Sequence, residues 1–270
     1  MFIQRWFTGA LIAIALSIPA AWSAPLGIMV PAYFYPSAGS DWGKLNAAAT
    51  HIPLIAIMNP ASGPGKSSDK TYVHALSELH RAGGKIIGYV HTSYGERPLA
   101  EVKKEIDLYL AFYALDGFFV DEMSNDENTN HLDYYAAVYR YVKTKGAQLT
   151  VTGNPGCNTM EVYMTKPTDD SFMIFEDNST NYVGFTPSDW VARYPAQQFV
   201  HLPYNVTTAS TMTNYVQLAV SRNAGWICIT DDTLPNPYKS LPSYWTREVD
   251  LVQSLNRGAS PVAPQQTAKR

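Results

Sequence analysis

Gly117-Phe-Phe-Val-Asp-Glu-Met123 runs three apolar residues into two adjacent carboxylates, and Ser-Asn-Asp follows at once. The apolar run reads as a buried strand and 124–130 as a polar connection, so Asp121 and Glu122 stand where a strand ends. About fifty residues on, Ser171-Phe-Met-Ile-Phe-Glu-Asp177 repeats the pattern, an apolar run closing on acids. Carboxylates at strand ends, unlike those on a solvated helix face, suit general acid and nucleophile work in a hydrolase. Any one of these acids could instead cap a following helix. Two such endings in one chain favour a site.

Outward from these two runs, the chain alternates strand-like and helical patterns. Strands are expected at 27–35, 53–58, 85–91, 117–121, 148–152, 171–176, 198–202 and 225–230. Amphipathic helices are expected between most of them. The helix 70–82 carries Tyr72, Val73, Leu76 and Leu79 on one face, and 99–113 carries Val102, Ile106, Tyr109 and Leu110. The segments 132–144, 212–223 and 243–256 are similar. Gly83-Gly84, Gly146 and Gly225 fall between a helix and the next strand, where a left-handed cap is wanted. Eight strands interleaved with helices over roughly 230 residues match a single-domain (β/α)₈ TIM barrel. The competing architecture, a doubly wound open sheet, would usually be shorter, and no Gly-rich phosphate turn follows the first strand.

Composition sets the outer limits. The chain has 270 residues, 46% of them hydrophobic, enough for one sizeable core. A net charge of −3 offers no basic footprint for nucleic acid or an anionic membrane surface. The N-terminus reads as an export signal: Arg5 supplies the charge, 7–18 the apolar core, and Pro19-Ala-Ala-Trp-Ser-Ala24 the cleavage region, with cleavage after Ser23. Residues 1–23 are thus a signal peptide, 24–256 the barrel and 257–270, rich in Pro, Gln and Ala, a disordered tail. A secreted or periplasmic protein follows, membrane-bound only if the signal is retained. Cys157 and Cys228 lie in segments on opposite sides of the fold and read as free, partly buried thiols, with a disulfide as the minority view. Asn178-Ser-Thr180 and Asn205-Val-Thr207 are glycosylation sequons, meaningful only in a eukaryote.

Barrel geometry sharpens the carboxylate argument. Asp121 ends the fourth strand and Glu176 the sixth, and alternate strands share a layer at the carboxyl-terminal mouth. Inward-leaning side chains would stand ~5–9 Å apart, a range that covers both retaining and inverting glycosidases. Asp121 and Glu122 face opposite ways while the strand stays extended, so only one is a full barrel-interior group and the other must reach the site from the loop or support it. Asp177 poses the same question, and capping or orienting is its expected task. Other strand ends carry groups suited to a hydroxylated ring: Tyr33, Tyr35, Asn59, His91, Tyr94, Asn154, Tyr204, Asn205, Asp231 and Asp232. Loops are polar everywhere, so each of these taken singly has a structural alternative. Trp226 is expected in the core. Pro60-Ala-Ser-Gly-Pro-Gly-Lys-Ser67 fails as a phosphate loop because Pro60 stands where the first Gly is required. His74 and His80 are six apart and do not share a helix face, and no serine-hydrolase elbow appears.

Taken together, Tyr33-Phe-Tyr-Pro36, Ile57-Met-Asn-Pro-Ala-Ser-Gly-Pro-Gly65, Gly88-Tyr-Val-His-Thr92, Gly117-Phe-Phe-Val-Asp-Glu122, Thr152-Gly-Asn-Pro-Gly156 and Phe175-Glu176 resemble the spherulin-4 family, over about 25–256. That resemblance implies a (β/α)₈ glycoside hydrolase acting on α-1,4-linked galactosamine or N-acetylgalactosamine polymers, the adhesive exopolysaccharides of some moulds and bacteria. It places Asp121, Glu122 and Glu176 in the catalytic set. By analogy with other retaining α-galactosidase-type barrels, Asp121 is the expected nucleophile and Glu176 the expected general acid/base, with Glu122 orienting or tuning them. A partly deacetylated polymer would be cationic, and Asp231 and Asp232 are expected to help attract it. The expected enzyme is endo-acting and monomeric, needs no cofactor or metal, and takes a polysaccharide as its partner. The alternatives are a non-catalytic carbohydrate-binding or coat protein on the same barrel, and a barrel hydrolase for another glycan.

Overall fold

Why a barrel forms is visible in the first pair of strands. β1 (Gly27–Ala32) and β2 (Leu54–Met58) are buried along their whole length, as strands covered on both faces must be. In the computed structural model, which describes residues 24–259, β3 (Lys85–His91), β4 (Gly117–Asp121), β5 (Thr150–Gly153), β6 (Ser171–Asn178), β7 (Phe199–Tyr204) and β8 (Trp226–Ile227) follow. All pair in parallel, in chain order, and β8 returns to β1 to close an eight-stranded barrel. The helices between them are α1 (Trp42–Ala49), α2 (Lys70–Arg81), α3 (Leu99–Phe112), α4 (Thr129–Lys145), short α5 (Val162–Thr165) and α6 (Ser179–Tyr182), α7 (Ala209–Ser221) and α8 (Trp245–Ala259). This is the expected TIM barrel.

Side-chain caps fix the helix starts, α2 at the expected residue and α4 and α7 three residues before the expected 132 and 212. Asp69 caps α2 by accepting from Thr71 N, and Asn128 and Thr208 do the same for α4 and α7. α1 escaped the sequence reading; its buried face is only Trp42, Leu45 and Ala48 over two turns. Val73 departs from its expected face and is 44% exposed, while Tyr72, Leu76 and Leu79 are buried. The glycine caps divide. Gly83, at φ +92, closes α2, but Gly146 is extended at φ −178, and Asn223 at φ 60 makes the left-handed turn expected of Gly225. Gly225 is needed for space, since a Cβ there would strike the Ala196–Gln197 backbone.

Strand ends moved where hydrogen bonding decided them. β1 stops at Ala32, three residues short of the expected 35, and β6 runs on to Asn178. β8 is cut to two residues because Ile229 N donates to the buried Glu248 carboxyl at 3.1 Å instead of to a strand. Cys228 and Thr230 still donate to β7 carbonyls, so the chain keeps its course. α8 extends through Ala259, past the expected boundary at 256. Asn256 is part of the fold: its side chain accepts from Leu26 N at 2.8 Å and donates to Leu26 O at 2.9 Å. The expected signal peptide and the remainder of the expected tail lie outside the described residues. Both cysteines are free, but Cys157 is exposed where partial burial was expected, and Cys228 is fully enclosed.

The register brings the site together. Tyr89 pairs with Phe119 and His91 with Asp121, so these four share the inward face. On β6 the simple alternation fails. Met173 pairs with Val200 but Phe175 pairs with His201, leaving Ile174 as an extra residue. That bulge reverses the parity, as bulges beside active sites do. Phe175 consequently packs outside the barrel against Tyr182 and Phe185, with ring centroids 4.7 and 4.9 Å away, and Glu176 faces inward.

Candidate active site

Asp121 and Glu176 meet through one amide. Asn154, just beyond β5 and buried, donates from Nδ2 to Asp121 Oδ1 at 2.8 Å and to Glu176 Oε2 at 2.6 Å. Laid end to end, the two bonds limit those oxygens to about 5.4 Å apart. The second oxygen of Glu176 accepts from Tyr238 at 2.7 Å. Burial, and then the Asp121 charge, push the Glu176 carboxyl above its ordinary range, and the donors Tyr238 and Asn154 partly oppose that rise.

Phenols surround the pair. Tyr33 packs edge-to-face on Tyr89 and on Tyr238, both at 5.8 Å between centroids. Burial, reinforced by the charges of Asp121 and Glu176, raises the Tyr33 phenol well above its usual value. Tyr89 rises for the same reasons, with burial first and Asp121 second. These neutral rings make an amphipathic wall, apolar at the face and hydrogen-bonding at the tip, of the kind that suits a sugar.

Glu122 takes a different course. It leaves the strand with φ 51, a left-handed conformation that is costly for a glutamate, and its Oε2 accepts from Ser93 N at 3.1 Å. Its carbonyl accepts from Tyr94 N at 2.7 Å and from the Thr92 hydroxyl at 2.9 Å. Ser93, Tyr94 and Gly95 are left-handed in succession, at φ 48, 56 and 88. Glu122 therefore holds the turn after β3 and presents Tyr94, which is 61% exposed.

The remaining candidates separate into rim and scaffold. His91 stands beside Asp121 in register and is half-buried. Tyr204 donates to Asp177 at 3.4 Å, next to Glu176, and Asp177 also accepts from Asn178 N and Asn181, the orienting task expected of it. Tyr35 turns away to donate to the α2 cap Asp69 at 2.9 Å. Asn59 accepts from Gly63 N at 3.0 Å and so shapes the loop after β2. Asn205 is used through its backbone, at φ 59 with its N–H on Asp232 O. Asp231 accepts from Ser243 N at 3.1 Å and from its hydroxyl, while Asp232 pairs with Lys239 at 2.9 Å. Both are held within their own loop, and Asp232 is the one paired with a cation. Trp226 is partly core, its ring covering Gly27.

Two site residues went unselected in the sequence. Tyr89 was available from period two, lying two residues before His91 on an inward face. Tyr238 sits in an aperiodic loop with no local signal.

A parallel barrel whose mouth brings two carboxylates from alternate strands within one amide's reach, walled by tyrosines, has the arrangement that paired-carboxylate glycoside hydrolysis uses. The family model described as Spherulation-specific family 4 matches residues 27–252. Spherulin-4 of Physarum polycephalum is 34% identical over 272 residues, covering 94% of this chain and 80% of that protein. The chain belongs to the spherulin-4 family. Among solved structures, Aspergillus clavatus Sph3 in complex with GalNAc superposes with a TM-score of 0.74 at 25% identity, over 85% of this chain and 98% of that one. A chitinase from Bacteroides thetaiotaomicron, at 10% identity and a TM-score of 0.55 over 86% of this chain and 98% of its own, shares the fold.

Proposed function

We propose that the protein is a secreted, endo-acting glycoside hydrolase that cleaves α-1,4-linked galactosamine or N-acetylgalactosamine polymers with retention of configuration. The carrying observation is the Asn154 bridge, which keeps the facing oxygens of Asp121 and Glu176 within about 5.4 Å. Retaining enzymes place their carboxyls roughly 5–5.5 Å apart, whereas inverting ones need about 6.5–9.5 Å to admit a water. The substrate class is supported by family membership and by the GalNAc held by Sph3, which is similar to this chain across the whole barrel. Export rests on the reading of Arg5 and the apolar segment 7–18.

In this reading Asp121 attacks the anomeric carbon while Glu176 protonates the departing glycosidic oxygen. Water then attacks the anomeric carbon of the glycosyl–Asp121 ester, giving its proton to Glu176 and releasing the Asp121 carboxylate. The raised Glu176 carboxyl suits a group that must hold a proton near neutral pH. Because the active form is protonated, activity falls as pH rises through the Glu176 value. Asp121, Glu122 and Asp177 together gather negative charge at the mouth, which favours a partly deacetylated, cationic polymer. The test is release of reducing ends from such a polymer by the parent and by folded Asp121→Asn and Glu176→Gln proteins. Undiminished release by either variant defeats the catalytic assignment, and a parent that binds the polymer without cleaving it favours the carbohydrate-binding alternative.

A further inference from the structure

Glu176 is gripped at both oxygens from two different parts of the fold. Tyr238, on the loop after β8, donates to Oε1 at 2.7 Å. Asn154 donates to Oε2 at 2.6 Å and spends its other hydrogen on Asp121 at 2.8 Å. Reversed, the amide would turn its carbonyl on the Asp121 carboxylate, which can only accept. Its actual orientation leaves Oδ1 buried without a partner, an arrangement that disfavours the folded state unless the bridge repays it. The backbone of Asn154 is pinned on both sides, with N–H on Val120 O at 2.8 Å and O accepting from Met123 N at 3.0 Å. Strand β4 therefore holds the residue that ties its own terminal acid to the acid of β6.

We propose that Asn154 and Tyr238 are positioning residues with separate tasks: Asn154 fixes the separation of the two acids, and Tyr238 favours the ionised form of Glu176 alone. The inference deepens the retaining reading above and rests on it for its kinetic arm. The groups facing the pair are Tyr33 from β1, Tyr89 and His91 from β3, Glu122 beyond β4, Tyr204 from β7, Cys228 after β8 and Tyr238. The groups acting on Glu176 itself are the Asp121 charge and the two donors, with no cation among them. Losing either donor leaves burial and Asp121 less opposed, so Glu176 keeps its proton to higher pH.

The experiment follows the Glu176 carboxyl by carbon-detected NMR titration of the free protein, alongside kcat and KM against pH on the galactosamine polymer. Tyr238→Phe keeps the ring and its packing on Tyr33. It is expected to raise the Glu176 midpoint in the free protein and the alkaline limb of kcat by about one pH unit. Asn154→Ala is expected to move the midpoint the same way and also to lower plateau kcat by about 10²-fold at nearly unchanged KM, because the acids are no longer spaced. A general loss of packing would lower melting temperature without moving the midpoint. A Glu176 midpoint unmoved by Tyr238→Phe overturns the task given to Tyr238. An Asn154→Ala protein with plateau kcat within threefold of the parent overturns the task given to Asn154. Where Asn154→Ala fails to fold, Tyr238→Phe still decides the proposal. The titration needs no turnover, so a polymer left uncut by the parent counts against the retaining reading and leaves the NMR outcome to judge this one.

Discussion

The ends of β4 and β8 look alike in sequence, each an apolar run followed by two acids, yet they do opposite things. Asp121 at the first is bound by an amide from β5 that also binds Glu176 of β6. Asp231 and Asp232 at the second are bound by Ser243, Ser240 and Lys239 of their own loop. The difference teaches that the partners matter more than the acid. Donors arriving from other parts of the barrel converge carboxylates on the mouth, whereas donors from the same loop fold that loop. β8 also shows a third fate: Glu248, fully buried behind it on α8, serves a backbone N–H.

The largest effect expected to sharpen this contrast lies at β4 and β6. Asp121→Asn and Glu176→Gln should each lower kcat by about 10⁴-fold or more while leaving thermal unfolding near the parent's, measured by reducing-end release and calorimetry. The next concerns Glu248. Burial lifts its carboxyl to about 8 from 4.5, so the native state holds a proton that the unfolded chain gives up. Its stabilising contribution is complete below about pH 4.5 and is lost as pH rises towards 8. Glu248→Gln keeps an acceptor for Ile229 and removes that titration. Urea unfolding should show the variant more stable than the parent near pH 8 by on the order of 2 kcal/mol, with the gap closing at pH 5. A gap that stays constant across this range would place the effect elsewhere.

Smaller changes are expected at the β8 clamp. Asp231→Asn should destabilise by about 1 kcal/mol through the weakened hold on Ser243 at the head of α8, with kcat/KM within a few-fold of the parent. Asp232→Asn, losing a pair to a largely exposed lysine, should cost at most about 1 kcal/mol and fade with added salt. A large drop in kcat/KM from Asp231→Asn would return that residue to the site and undo the comparison.

How far the sequence reached follows from where its periodicities hold. Buried parallel strands are uninterrupted apolar runs, so all eight were legible, and β3 and β4 to the residue. Asp121 and Glu176 were legible as strand ends. Their shared inward aim was expected from alternate strands, but the extra residue Ile174 that turns Glu176 inward was not legible, because no sequence period announces a bulge. Asn154 was visible as a polar residue after a strand, but its role as a bridge requires knowing what stands on either side. Tyr238 is placed by a loop whose own contacts, such as Leu241 N on Asp41 at 2.9 Å, span most of the chain. Tyr35, Asn59 and Asp231 each make a bond within a loop or to a helix cap, and no sequence period announces such a bond.

Proton NMR of the newly formed reducing ends, recorded in the first minutes of digestion of an α-linked galactosamine polymer, tests the carboxylate pair most directly. The spacing set by Asn154 predicts α-anomeric ends first, with β appearing only by mutarotation, and none from folded Asp121→Asn. Ends that form first as β, or form undiminished in that variant, would contradict it.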